Sequence, residues 1–172
     1  MITVLRLNHR AARDKRITTH CALVSRAFGA DEMVYTGERD QSLEKSVAGV
    51  AANWGGSFCI RHERSWKPEL KRKATRVHLT MYGEPLVEVI PKLPKTGDII
   101  IVIGGEKVPW EIYRECDYNV GVGNQPHSEV SSLAVFLHEY FDGKELDREF
   151  DGAKLRVKPS PRGKNVEKLG NL

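Results

Sequence analysis

The stretch GDIIIVIGGEKVPWEIYRECDYNVGVGNQPHSEVSSLAVFLHEYF, Gly97 to Phe141, decides how the chain reads. An unbroken aliphatic run, Ile99 to Ile103, gives way to Gly104-Gly105. A second run, Tyr118 to Val122, gives way to Gly123-Asn124-Gln125-Pro126. Apolar runs without alternation mark strands covered on both faces, the situation of a parallel sheet. Each turn leads toward a helical pattern: Pro109 opens a short helix to about Arg114, and Ser128 starts one that runs through Phe141. Short buried strands that end in glycine turns before helices offer backbone N–H groups to a small ligand.

The preceding residues keep the same rhythm. Ile2 to Leu7 reads as a strand, followed by a basic loop from Asn8 to Arg16 and a helix carrying Ile17, Cys21, Val24 and Phe28. Met33 to Tyr35 is a short strand. Asp40 caps a helix whose buried stripe is Leu43, Val47, Val50, Ala51 and Trp54, ended by Gly55-Gly56. Phe58 to Ile60 is a strand, Trp66 to Lys73 a weakly helical basic segment, and Val77 to Met81 a strand ending at Tyr82-Gly83. Pro85 fits the first turn of a helix with Leu86, Val89 and Ile90. Strands alternating with helices predict an α/β fold, a mostly parallel sheet with helices on both faces. In the last helix Val130, Leu133, Ala134, Leu137 and Phe141 form one stripe, and Phe136 with Tyr140 a second apolar edge. Such a helix is buried deeply or shared with a partner. After Gly143 the composition shifts, and Lys144 to Leu172 reads as an appended element.

With 172 residues, 40% hydrophobic and 29% charged, the chain can bury one ordinary core. It has neither a membrane-length apolar window nor a signal-peptide pattern, so the cytoplasm is the expected location. Cys21, Cys59 and Cys116 lie far apart without a CxxC pair, which argues for buried reduced thiols and against a metal site. The net charge of +4 is clustered: Arg6, Arg10, Arg13, Lys15 and Arg16; then Arg61 to Arg76; then Lys154 to Lys168. Clustered positive charge is the footprint of a polyanion track, or a solvated basic surface.

In a parallel sheet the three glycine-bearing strand ends, at Gly83, Gly104-Gly105 and Gly121 to Gly123, fall on one edge. Two nucleotide motifs are absent: no glycine is followed at the Walker-A spacing by Gly-Lys-Ser/Thr, and Pro126 stands where a dinucleotide fingerprint needs its last glycine.

The spans LRLNHRAARDKRITTH, HLTMYGEPL, IVIGGEKVP and NVGVGNQPHSEVSSLAVFLHE resemble the archaeal tRNA cytidine-56 2′-O-methyltransferases, a branch of the SPOUT superfamily. The resemblance covers residues 1–141, and residues 142–172 resemble that family's small C-terminal extension. It implies a SPOUT domain over residues 1–141 with a deep trefoil knot, the knot and cofactor site occupying about residues 78–141. It also implies S-adenosylmethionine as cofactor, tRNA as substrate, and a homodimer through the knot helices, with neither metal nor membrane. Carried over, the cofactor would lie among Leu79, Thr80, Tyr82 and Gly83; Gly104, Gly105, Glu106, Lys107, Val108 and Pro109; and Val120, Gly121, Val122, Gly123, Asn124, Gln125, Pro126, His127, Ser128 and Glu129, with Leu133 as an apolar wall.

The implied reaction is in-line methyl transfer to a ribose 2′-oxygen, a poor nucleophile that must be positioned and relieved of its proton. The related enzymes use a motif arginine near the first helix; Arg13 is the favoured counterpart, with Arg10 and Arg16 close behind. Guanidinium hardly ever deprotonates, so a bidentate clamp on the flanking phosphate is the easier role. A salt bridge to Asp14 or Glu106 is the plain alternative. Relatives carry Ser-Leu-Asn at the last helix start, where this chain has His127-Ser128-Glu129. Ser128 orients the nucleophile or only caps the helix; His127 and His20 are proton acceptors or structural. Action on another RNA position, and a knot that binds RNA without turnover, remain the competing readings.

Overall fold

A computed structural model describes residues 1–105 and 107–170. The elements in order are β1 (Ile2–His9), α1 (Ala11–Ala27), β2 (Glu32–Gly37), α2 (Gln41–Trp54), β3 (Cys59–His62) and α3 (Lys67–Leu70). Then come β4 (Thr75–Pro85), α4 (Leu86–Val89), β5 (Ile99–Ile103), α5 (Trp110–Glu115), β6 (Tyr118–Gly121), α6 (Glu129–Phe141), β7 (Leu155–Val157) and β8 (Val166–Lys168). The main sheet has six strands in the order β3-β2-β1-β5-β4-β6, with every pairing parallel.

β5 runs where its apolar residues predict, and all of its residues are buried. The reason is its place between β1 and β4 with a core on each face. Val4, Val77, Ile101 and Ile103 pack with Cys21, Leu43, Val47, Leu133 and Phe136 of α1, α2 and α6. Leu5, Leu7, Val34, Ile100 and Val102 pack with Leu70 and Ile112 on the opposite face. Burial of each such side chain contributes about 1.5–3 kcal/mol, so β5 anchors both halves of the sheet.

Three expectations need correction, and one open alternative is decided. Most of the basic segment is not a loop, because α1 begins at Ala11. No Ser, Thr, Asp or Asn marks its start; instead two N–H groups there are met by carboxylates, one distant in sequence and one within the helix. Glu38 Oε2 accepts from Ala11 N at 2.7 Å, and Asp14 Oδ2 accepts from Arg10 N at 3.1 Å. The stripe of α2 is shorter than its periodicity implies: Leu43 and Val47 are buried, while Val50, Ala51 and Trp54 are half-buried. Cys59 is exposed, unlike Cys21 and Cys116, because it begins β3 at the sheet's edge. Finally, Phe136, Leu137 and Tyr140 of α6 are buried within this chain's own core, so its second apolar edge is not left for a partner.

The cap expectations hold. Asp40 accepts from Ser42 N at 2.9 Å and Leu43 N at 3.0 Å, and Ser128 accepts from Val130 N at 3.2 Å. The C-terminal segment folds into the antiparallel β7-β8 hairpin. It docks where strands begin: Asp151 O accepts from Gly56 N at 2.8 Å, and Arg148 Nη1 donates to Gly29 O at 3.1 Å. The opposite edge, where β1, β4, β5 and β6 end, is left to the site.

Candidate active site

The adjacency of β5, β4 and β6 brings the three glycine turns together, as a parallel sheet requires. A cavity of about 620 Å³ opens there, within the range of small-molecule sites. β4 and its end supply His78 to Tyr82; β5 and its turn supply Ile103, Gly104, Gly105 and Val108; the loop after β6 supplies Val122, Gln125, Pro126 and His127. Tyr113 of α5 and Glu129 and Ser132 of α6 complete one side, and Arg6, Arg10, Arg13, Asp14 and Ile17 face them.

Of the residues singled out in the sequence, Leu79, Thr80, Tyr82, Gly104, Gly105, Val108, Val122, Gln125, Pro126, His127, Glu129, Arg10 and Arg13 line this cavity. Others serve its walls. A Cβ at Gly83 would collide with the backbone of Asn119 and Val120, and one at Gly121 with the Asn124 amide. These glycines let the protein approach itself. At Gly105 a Cβ would meet only the Arg6 guanidinium, at 3.8 Å, so that glycine faces open space. Asn124, in left-handed backbone at φ 45°, donates from Nδ2 to Met81 O and Gly83 O, both at 2.9 Å. That amide ties the loop after β6 to the end of β4. Val120 and Leu133 are fully buried core, and Pro109 is the residue at the start of α5. Lys107, whose carbonyl accepts from Asn8 Nδ2 at 3.3 Å, Gly123 and Ser128 lie outside the lining. Arg16 and His20 are exposed on α1, away from it. Glu106 lies outside the described residues.

The arginines differ. Arg10 pairs with Asp14 at 2.9 Å, the salt bridge anticipated as the plain alternative. That contact, through the Arg10 side chain, holds the Asp14 carboxyl below its ordinary range. Arg13 is exposed at the cavity's edge. His127 has both ring nitrogens engaged, Nε2 with Val122 O at 2.5 Å and Nδ1 with Ser131 Oγ at 3.0 Å, so it fastens the loop.

Two buried polar residues escaped the sequence reading of the site. Arg6, 1% exposed in the middle of β1, pairs with Glu129 at 2.9 Å and donates from Nη1 to Leu7 O at 2.9 Å. His78, also 1% exposed, contacts Asn119 Oδ1 through Nδ1 at 2.9 Å. Asn119 Nδ2 donates to Tyr113 O at 2.9 Å, which orients the amide and makes His78 Nδ1 the donor. Burial lowers the His78 pKa, only partly offset by that hydrogen bond. The available signal was an ionisable side chain set inside an otherwise apolar strand of a doubly covered sheet, in each case.

Residues 54–167 match the family described as tRNA ribose 2′-O-methyltransferase, aTrm56. The chain belongs to this family. Among aTrm56 relatives, a tRNA (cytidine(56)-2′-O)-methyltransferase of Thermococcus kodakarensis is 52% identical, covering 98% of each chain. One of Pyrococcus horikoshii is 50% identical over 96% of this chain and 84% of its own, and one of Methanocaldococcus jannaschii is 48% identical over 96% of each. Among solved structures, the chain resembles an A. aeolicus TrmH/SpoU tRNA modifying enzyme at TM-score 0.62 and 14% identity, covering 85% of this chain and 76% of that one. It also resembles the SpoU methyltransferase AviRb of Streptomyces viridochromogenes in complex with AdoMet, at TM-score 0.59 and 13% identity, over 84% of this chain and 57% of that one. The fold is that of the SPOUT methyltransferases.

Proposed function

We propose that this chain methylates the ribose 2′-hydroxyl of cytidine 56 in tRNA, with S-adenosylmethionine as donor. The observation that carries this is identity of about half, along nearly the whole chain, to enzymes of that name. The cavity fits the cofactor. Leu79, Ile103, Val108 and Val122 give it apolar walls, the Gly105 backbone faces open space, and the turns after β4, β5 and β6 all reach it. S-adenosylmethionine supplies a methyl group activated for transfer by its positively charged sulfur. The turns would hold the nucleoside through backbone groups. Arg13, with Arg10 behind it, would clamp the phosphate beside the target ribose and so align its 2′-oxygen.

Recognition of tRNA falls to basic surface. The middle cluster contributes less than its sequence promises. Arg61 is bound by Glu32, Glu63 and Glu69, Arg72 by Glu32 and Glu69, and Arg76 by Asp117. The exposed Lys15 and Arg16 of the first cluster, with the exposed Lys154, Arg162, Lys164 and Lys168, are better placed. The same reading includes a trefoil knot within about residues 78–141, residues 142–172 as a small C-terminal extension, a homodimer and a cytoplasmic setting; among the described residues no helix is long and apolar enough to cross a membrane.

The test is an undermodified tRNA transcript incubated with the protein and labelled S-adenosylmethionine. One methyl group on the ribose of cytidine 56 is expected, with tRNA affinity falling as salt rises. Methylation at a different nucleotide would move the reading to another RNA position, and binding without turnover would reduce it to an RNA-binding protein.

A further inference from the structure

On the reading just given, we infer that Glu129 is the group that accepts the proton of the ribose 2′-hydroxyl. Only two carboxylates line the cavity among the described residues, Asp14 and Glu129. Both oxygens of Asp14 are taken by Arg10: Oδ2 by its backbone N at 3.1 Å and Nε at 2.9 Å, Oδ1 by Nη2 at 3.1 Å. Glu129 is held differently. Its Oε1 meets Arg6 Nη2 at 2.9 Å, and its Oε2 has no hydrogen bond among the described residues. The carboxylate is therefore fixed by one oxygen and open at the other, with its side chain 21% exposed on the cavity.

Arg6 is what makes this orientation rigid. Its guanidinium is 1% exposed, anchored on Leu7 O, and its buried Nε has no hydrogen-bond partner among the described residues. An ion pair at such depth costs desolvation that an apolar pair of similar volume would avoid. Its position at the floor of the cavity gives it a use: it links the first turn of α6 to β1 and aims one carboxylate oxygen outward.

In the step itself the ribose O–H bond breaks and its proton goes to Oε2. The oxygen's electron pair forms the new bond to the methyl carbon, and the methyl–sulfur bond breaks with its pair returning to the sulfonium sulfur. The hydroxyl becomes acidic as the new bond forms, so a modest base suffices when it is within hydrogen-bond reach. The charged and titratable groups that line the cavity with Glu129 are Arg6 on β1, Arg10, Arg13 and Asp14 on α1, His78 and Tyr82 on β4, Tyr113 on α5 and His127 on the loop before α6, with Cys21 near them.

Glu129→Gln keeps an oxygen for Arg6 and removes the base. Its kcat on tRNA is expected to fall by about 100-fold or more. The Kd for S-adenosylhomocysteine, read by calorimetry, should stay within about threefold. Formate added to Glu129→Ala should restore part of the turnover. A Glu129→Gln enzyme with kcat within about threefold of the parent overturns the inference, as does a loss of cofactor affinity that matches the loss of turnover. Should the glutamine variant fail to fold, formate rescue of the alanine variant decides alone, and no rescue counts against the role. If the parent protein binds no S-adenosylhomocysteine, the functional reading fails instead.

Discussion

At the scale of single residues, the site is a set of charges at different depths, and depth decides what each can do. Arg6 is sealed beneath the cavity, Arg10 is occupied by Asp14, and Arg13 stands exposed at the edge. A phosphate arriving from outside meets the exposed Arg10 and Arg13, not Arg6. Arg13→Ala should therefore lower kcat on tRNA by about 10-fold or more, the worth of a lost charge-assisted contact. Affinity for S-adenosylhomocysteine should change little; calorimetry showing equal losses of both would remove Arg13 from its assigned place. In the sequence these three arginines are equivalent members of a basic cluster. Their separation by depth comes from β1 entering the core while α1 rides along its surface.

At the scale of elements, three turns must keep their spacing for the cavity to persist, and one side chain spans two of them. Asn124 holds Met81 O and Gly83 O with its amide while adopting left-handed backbone that other non-glycine residues tolerate poorly. Asn124→Ala loses both hydrogen bonds and retains the strain. The expected result is about 10-fold weaker S-adenosylhomocysteine binding, from one to two kcal/mol of lost organisation. Unchanged affinity in calorimetry would show that the turns hold their places without it. Strands and helices here were readable from pattern: the β5 run, the caps at Asp40 and Ser128, and Pro109 before α5 all stand where expected. The start of α1 was not, because its N–H groups are satisfied by Glu38, distant in sequence, and by Asp14 reaching backward.

For the whole molecule, two buried histidines make stability depend on pH. The His9 ring is 1% exposed with Nδ1 on Thr18 Oγ1 at 2.9 Å; burial and Arg6 lower its pKa against the pull of Asp40. Burial lowers His78 likewise. The unfolded chain then takes up protons at the ordinary value of 6.5 while the folded chain does not. Their stabilising contribution is present above that pH and is lost as pH falls below it. Asp14, lowered by Arg10, and Glu32, lowered by Arg61, Thr3 and Arg72 despite burial, add a second loss below their ordinary values of 3.8 and 4.5. Urea unfolding should give a midpoint that drops between pH 7.5 and 5 and drops again toward pH 3; a flat first interval would count against the histidine assignment. The proposed homodimer belongs to this scale as well. Since Phe136 lies in the core, Val135, 43% exposed on α6, is the large apolar side chain of that helix such a dimer would use. Val135→Asp should shift sedimentation toward monomer without lowering thermal stability, and an unaltered oligomer would place the interface elsewhere.

Pattern along the chain was enough to determine an α/β architecture, the doubly buried β5 and the three glycine turns, since periodicity and turn chemistry are local properties of neighbouring residues. Family resemblance, carried by four separated motifs, added the reaction. Only the tertiary structure decided that Arg6 meets Glu129, that the Asp14 carboxylate is consumed by Arg10, and that Arg61, Arg72 and Arg76 of the middle basic cluster are neutralised by acids. Those outcomes depend on which strands lie side by side and how deeply each side chain is covered. A chain of residue types does not contain distances between its remote parts; packing the sheet sets them.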